Sequence, residues 1–212
     1  MSPEQQESRD ETLGGARQAA HPGESPAPWQ NQRQFQDLAD AFTQALTAAG
    51  GEVWRAANWE EAVARLDALW AELGAHKVVA NVEPPLPTLD PATRWPHLDW
   101  RWATPATPDW REQCAQADVG VTSASAALAE TGTMVVSSGP GCSRLTPLLP
   151  PVHVALVPTR CLTTNLFTWV ATRQGPPPPA TTLISGPSKT ADIEQTMAVG
   201  VHGPKRLIVV LW

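Results

Sequence analysis

The chain has no tyrosine and only three cysteines, Cys114, Cys142 and Cys161, among 212 residues. They are odd in number, widely spaced and never paired as Cys-x-x-Cys. That argues against a disulfide framework, and against a zinc or iron–sulfur centre held by cysteines of this chain. They read as reduced, buried or half-buried thiols. Cys142 stands apart, because Arg144 lies two residues on and a cation there would lower its pKa. No apolar run approaches the roughly 20 residues that cross a bilayer. The N-terminus is polar and mixed in charge, unlike a secretory signal, so the cytoplasm is the expected location. Positive charge is scarce: the net charge is −6, which gives no general attraction to nucleic acid or to an anionic membrane. Neither a Walker A loop nor Gly-x-Gly-x-x-Gly occurs.

What is present is globular. Hydrophobic residues make up 42% and charged residues 17%, enough at this length for a proper core. Arginine outnumbers lysine, and alanine and proline are plentiful, a bias of composition rather than of function. The 10 tryptophans are concentrated in the first half. They could form an aromatic binding face, but packing in the core or at an interface is the commoner use.

Residues 1–30 are polar, contain Gly and Pro, lack periodicity and read as a disordered tail. Residues 31–212 read as a single α/β domain. Phe35, Leu38, Phe42 and Leu46 have helical spacing, ended by Gly50-Gly51. A strand over 52–57 follows. Asn58 caps a second helix, with Glu61 in a capping-box position and Gly74 as the stop. A strand is expected over 77–80. Residues 81–107 form a long Pro- and Trp-rich excursion with a short strand near Trp100 to Trp102. Pro108 suits the first position of a helix running to Ala117. Strands are expected over 118–122, 133–137, 152–157, 181–185 and 206–211. Helical turns are expected over 124–130 and 144–149, and helices over 163–173 and from Ala191. The prolines after Gly175 make a rigid linker. The alternation of strand and helix predicts a mostly parallel sheet flanked by helices. Ligands in such sheets sit beyond the carboxyl ends of strands. The loops after Val121, Val136 and Ile184 are therefore expected to build one site.

The most informative stretch is 184–204, ISGPSKTADIEQTMAVGVHGP. A β-branched run stops at Ser185-Gly186-Pro187 and a helical pattern begins at Ala191. Such a turn offers free backbone N–H groups to an anion, with hydroxyls from Ser185, Ser188 and Thr190 and charge from Lys189. The same residues equally describe a well-capped helix start, with Asp192 and Glu194 at its positive end. Both acids disfavour a polyphosphate. His202, between two glycines, suits an acid, a base or a ligand, or else a turn held to backbone. A single histidine does not make a metal site. Glu130, in the turn before the strand over 133–137, is a candidate nucleophile or base, or a partner for loop N–H groups.

AETGTMVV (129–136), LLPPVHVALVP (148–158) and the 184–204 stretch resemble the lactate-utilisation protein C family, whose unit is the LUD domain. The resemblance covers about residues 35–212. It implies a three-layer α/β/α sandwich related to sugar-phosphate isomerases, coenzyme A transferases and formyltetrahydrofolate cyclo-ligase. It also implies a part in a three-protein system that oxidises L-lactate to pyruvate, with iron–sulfur clusters carried by partner subunits and none in this chain. The cofactor, if any, is unknown. Coenzyme A transferases use Glu-x-Gly, which Glu130-Thr131-Gly132 matches in short form. The resulting expectation is a site for a small carboxylate or anionic cofactor. Glu130, Asp192 and His202 would be its chemical groups. Thr131, Gly132, Thr133, Arg144, Ser185, Gly186, Ser188, Lys189, Thr190 and Glu194 would surround the ligand, with Arg144 opposite a carboxylate. A stand-alone isomerase, transferase or cyclo-ligase is the alternative, as is a non-catalytic assembly module.

Overall fold

The computed structural model describes residues 33–191, 197–200 and 202–212. The expected tail over 1–30 lies outside them. In chain order the elements are α1 (Leu38–Ala48), β1 (Glu52–Arg55), α2 (Trp59–Leu73), β2 (Lys77–Ala80), α3 (Pro91–Arg94), β3 (Asp99–Trp102), α4 (Trp110–Gln116) and β4 (Val119–Thr122). Then come β5 (Ala126–Leu128), β6 (Thr133–Ser137), β7 (Val152–Val157), β8 (Leu162–Thr163), α5 (Leu166–Thr172), β9 (Thr181–Ile184), β10 (Lys189–Ala191), β11 (Met197–Val199) and β12 (Arg206–Leu211).

Six strands form one wholly parallel sheet in the order β1-β12-β7-β4-β2-β3. Its central strands read as near-continuous apolar runs because both faces are covered. Val78, Val121, Val154, Leu156, Ile208 and Val210 point to α2, which answers with Leu66, Leu69 and Trp70. Ala155, Val157, Leu207, Val209 and Leu211 point the other way, to Phe42 and Leu46 of α1. Val79 meets Cys114 beside α4 on that side. Each fully buried aliphatic side chain contributes about 1.5–3 kcal/mol. The result is an α/β/α sandwich.

A second sheet, β8-β5-β6-β9, is mostly antiparallel. Met134, Ala127 and Ile184 turn toward the α1 core, while Ala126, Leu128 and Val135 turn out to Trp169 of α5. The sequence reading missed this layer. It assigned helical turns to 124–130, where β5 pairs with β6 instead. Residues 144–149 form turns, not a helix. Pro108 is not a first helical position, since α4 starts at Trp110 after Asp109. The helix expected from Ala191 falls mostly on 192–196, outside the described residues; Ala191 itself belongs to β10, which pairs antiparallel with β11 as a two-stranded ribbon.

Other local signals behave as their chemistry dictates. Asn58 accepts the Glu61 N–H at 2.9 Å, and the Glu61 carboxylate accepts from Ala57 N at 2.8 Å, closing the start of α2. The tryptophans pack: Trp95 stacks on Trp100 with ring centroids 5.5 Å apart, and both meet Trp70 edge-on.

Candidate functional site

The β5–β6 turn and the turn after β9 converge, as the sequence suggested, and they do so on the C-terminal end of α1. Thr131 Oγ1 lies 2.6 Å from Thr133 Oγ1, which lies 2.7 Å from Ser185 Oγ, so one hydroxyl chain joins the two turns. Gly132 has φ 62°, and a Cβ there would fall 2.2 Å from Leu46 N. Gly186 has φ 135°, and its Cβ would fall 2.9 Å from Ala49 O. Lys189 Nζ donates to Ala49 O at 2.6 Å. Its charge therefore sits at the negative end of the α1 dipole, where a cation is stabilising. Among the described residues, the turn leads into β10 and not into a helix N-terminus. Ser188 N donates to Pro204 O at 2.9 Å and Gly200 N to Ser188 O at 2.8 Å, which fastens the ribbon to the approach to β12.

A cavity of about 230 Å³ lies between this turn and that approach. Ser185, Gly186, Ser188 and exposed His202 line it, with Leu148 and Leu207 as apolar walls. His153 of β7 also lines it. That imidazole is 1% exposed, and its Nε2 lies 2.8 Å from Thr122 Oγ1. Nδ1 is buried without a hydrogen-bond partner, a state that calls for a ligand or a water. Burial pushes its pKa down to about 3, so the ring is neutral at ordinary pH. The sequence reading did not single out His153. Its signal was a lone polar residue in the apolar run Val152 to Val157.

The remaining expected residues are dispersed. Glu130 N donates to Thr164 O at 3.0 Å, and its carboxylate meets Arg33 at 3.5 Å. Glu130 is not among the residues lining the cavity. Gly132 of the Glu-x-Gly signature is accounted for by its contact with α1. Arg144 is exposed. Asp192 and Glu194 lie outside the described residues, as does the Thr190 side chain. Nor do the three loops meet in one place: those after β4 and β6 border a separate crevice containing Ser123, Ser137 and Cys142. In that crevice burial and the adjacent Glu83 carboxylate push the Cys142 thiol up to about 12, the reverse of the lowering expected from Arg144.

A wholly parallel sheet covered by helices on both faces defines this as an α/β domain. The chain belongs to the LUD domain family, whose family model matches residues 39–212. It is 42% identical over 127 residues to a lactate utilization protein C of Exiguobacterium, covering 53% of this chain and 55% of that protein. It is 42% identical over 102 residues to the protein of the same name from Halalkalibacterium halodurans, covering 45% and 44%. The Bacillus subtilis protein of that name is 31% identical over 118 residues, covering 53% and 49%. The chain thus spans about half the length of the curated relatives it matches. A crystal structure of a DUF162 family protein from Deinococcus radiodurans shares the fold, with a TM-score of 0.56 and 21% identity over 82% of this chain and 95% of that one. Among the described residues, no helix is long and apolar enough to cross a membrane.

Proposed function

We propose that this chain is the LUD-domain component of a cytoplasmic lactate-utilisation system, and that the cavity beside β9 takes a small carboxylate. The observation that carries the site is the unpartnered Nδ1 of His153, buried in the wall of a cavity that also offers the hydroxyls of Ser185 and Ser188. The two serines donate to the carboxylate. The neutral His153 ring meets the 2-hydroxyl or 2-oxo group, and the apolar wall takes the carbon end. His202 stands at the mouth, able to carry charge or a proton. Thr131, Gly132 and Thr133 support Ser185 from behind, and Lys189 holds the turn. His202 is the acid–base group of this reading; Glu130 and Arg144 do not border the cavity. Oxidation of L-lactate to pyruvate releases two electrons and two protons. Iron–sulfur partner subunits receive the electrons, because this chain has no cysteine set to hold such a cluster. The names of the relatives support the lactate assignment.

Two measurements test this. L-lactate, pyruvate and oxamate are titrated into the purified protein, with Ser185→Ala/Ser188→Ala as the comparison. Carboxylate binding weakened at least tenfold by the double substitution is expected, and equal binding by both proteins removes the site. The protein is then assayed for lactate-dependent dye reduction alone and with iron–sulfur proteins encoded beside its gene. Activity only in the mixture is expected. Full activity alone removes the partners from the scheme. An unchanged association with those partners after replacing both Glu130 and His202, with no carboxylate bound, favours an assembly module.

A further inference from the structure

The sheet order contains one reversal. From β2 the chain moves outward to β3, whereas from β4 it moves to β7 on the other side. β2 and β4 are neighbours, so their onward connections diverge and a crevice opens beyond their carboxyl ends. This is where ligands bind in open α/β sheets. Asn81 follows β2 directly, with Glu83 two residues on, and Ser123 follows β4 directly. Glu83 Oε1 accepts the Ser123 N–H at 2.6 Å, tying the two loops across the crevice. Asn81 is fully buried; its Oδ1 accepts from Ser143 N at 3.0 Å and Thr146 Oγ1 at 2.7 Å, anchoring the loop that carries Cys142. That loop is further held by Val82 N donating to Gly141 O at 2.8 Å. The space enclosed is about 260 Å³ and is bordered by Glu83, Cys142, Ser125, Ser137 and Val136.

The chemistry of the lining is narrow. Among the described residues, no lysine, arginine or histidine borders this crevice. A phosphate or carboxylate would therefore face Glu83 with no compensating cation. Ser125 Oγ donates to Val135 O at 2.9 Å and lies 3.2 Å from Ser137 Oγ, so Ser137 is the donor between the two serines and exchanges that long bond for one to a ligand oxygen. Burial raises the pKa of Glu83, while Cys142, the Ser123 N–H and Asn81 pull it back. The Cys142 thiol, pushed up to about 12, stays protonated and is no nucleophile. The movable proton of the crevice is thus that of Glu83.

We propose that this crevice is a second small-molecule site, distinct from the motif cavity, in which Glu83 is the acid–base group acting on a small uncharged compound with adjacent hydroxyl and carbonyl groups. Glu83 carboxylate takes the proton from the carbon beside the carbonyl. The C–H electron pair becomes the C=C bond of an enolate whose oxygen faces the Ser137 hydroxyl. The proton then returns from Glu83 to carbon. No oxidant or reductant takes part, and the site does not depend on the lactate assignment.

The test is hydrogen exchange, read by proton NMR, with the full-length protein in heavy water. Dihydroxyacetone and glyceraldehyde are the probes, without lactate or partner proteins. Loss of the C–H signal at least tenfold faster than in buffer is expected. Glu83→Gln should lower the enzymatic part at least a hundredfold, in line with the worth of a positioned base. The wild-type rate should rise with pH to a plateau, with a midpoint above that of a solvated glutamate. Should Glu83→Gln fail to fold, Glu83→Asp serves, and a slower rate with a displaced midpoint is expected. Exchange at the buffer rate with both probes, or exchange indifferent to either substitution, overturns the proposal.

Discussion

The motif cavity and the crevice at the β2–β4 reversal are built in opposite ways. The cavity is framed by the most distinctive residues of the chain, and much of their chemistry is spent on holding the frame. Lys189 is bound to Ala49 O, Gly132 and Gly186 lie against α1, and Thr131, Thr133 and Ser185 bond to one another. The crevice takes only Val136 from the family motifs, yet Glu83 and Ser123 meet there because the chain reverses direction. A long specific motif thus need not mark the chemistry. It can mark the joint that makes a fold possible.

The largest expected effect tests whether the motif is a joint. Gly132→Ala puts a Cβ into the α1 backbone at a φ of 62°. Positive φ costs a non-glycine residue about 1–3 kcal/mol, and the clash adds about as much. A loss of about 3 kcal/mol is expected, seen as a melting temperature lower by about 6–12 °C for a chain of this size. Melting curves with and without the substitution decide it. A shift under about 2 °C would mean that α1 yields, and the two regions would differ less than they look.

A smaller effect separates the regions by pH. His153 is held neutral by burial, with a folded pKa of about 3 against an ordinary 6.5. The unfolded chain gains a proton below pH 6.5 while the folded one does not. This contribution is therefore complete above pH 6.5 and is lost as pH falls through the window, at up to about 1.4 kcal/mol per unit. Glu83 has the opposite sign: its folded pKa is raised, so its contribution declines as pH rises through that value. Denaturant titrations across pH should show His153→Gln removing the loss of stability below pH 6.5 and Glu83→Gln removing a decline that sets in as pH rises above the ordinary glutamate range. If His153→Gln leaves the acid limb unchanged, the ring already accepts a proton in the fold.

How far these regions were legible follows from which interactions are local. The helices α1 and α2 and the strands β7 and β12 announced themselves, because apolar period and caps such as Asn58 are written in adjacent residues. The ribbon did not: Lys189 to Ala191 has no apolar pattern, and its strand state comes from pairing with β11. β5 was misread for the same reason, since an alanine-rich run suits a helix until β6 and β8 offer edges. Glu83 was missed inside the Pro-rich excursion, because only the β2–β4 neighbourhood places it opposite Ser123. His153 was hidden by the strand around it. The convergence of the Glu130 and Ser185 turns was foreseen, but not that they would meet through hydroxyls over the end of α1.

The finest comparison concerns one ammonium group. Were Lys189 an anion ligand, Lys189→Met would abolish carboxylate binding and leave stability nearly untouched. Its bond to Ala49 O at 2.6 Å, on an exposed side chain, implies the reverse. A cation at a helix C-terminus contributes about 0.3–1 kcal/mol at low ionic strength and is screened by salt. Lys189→Met should therefore lower the melting temperature by about 1–4 °C in dilute buffer, and by less in molar salt. Carboxylate affinity should stay within about twofold. Loss of binding with an unchanged melting temperature would return Lys189 to the ligand and make the motif cavity, not the crevice, the more reactive of the two regions.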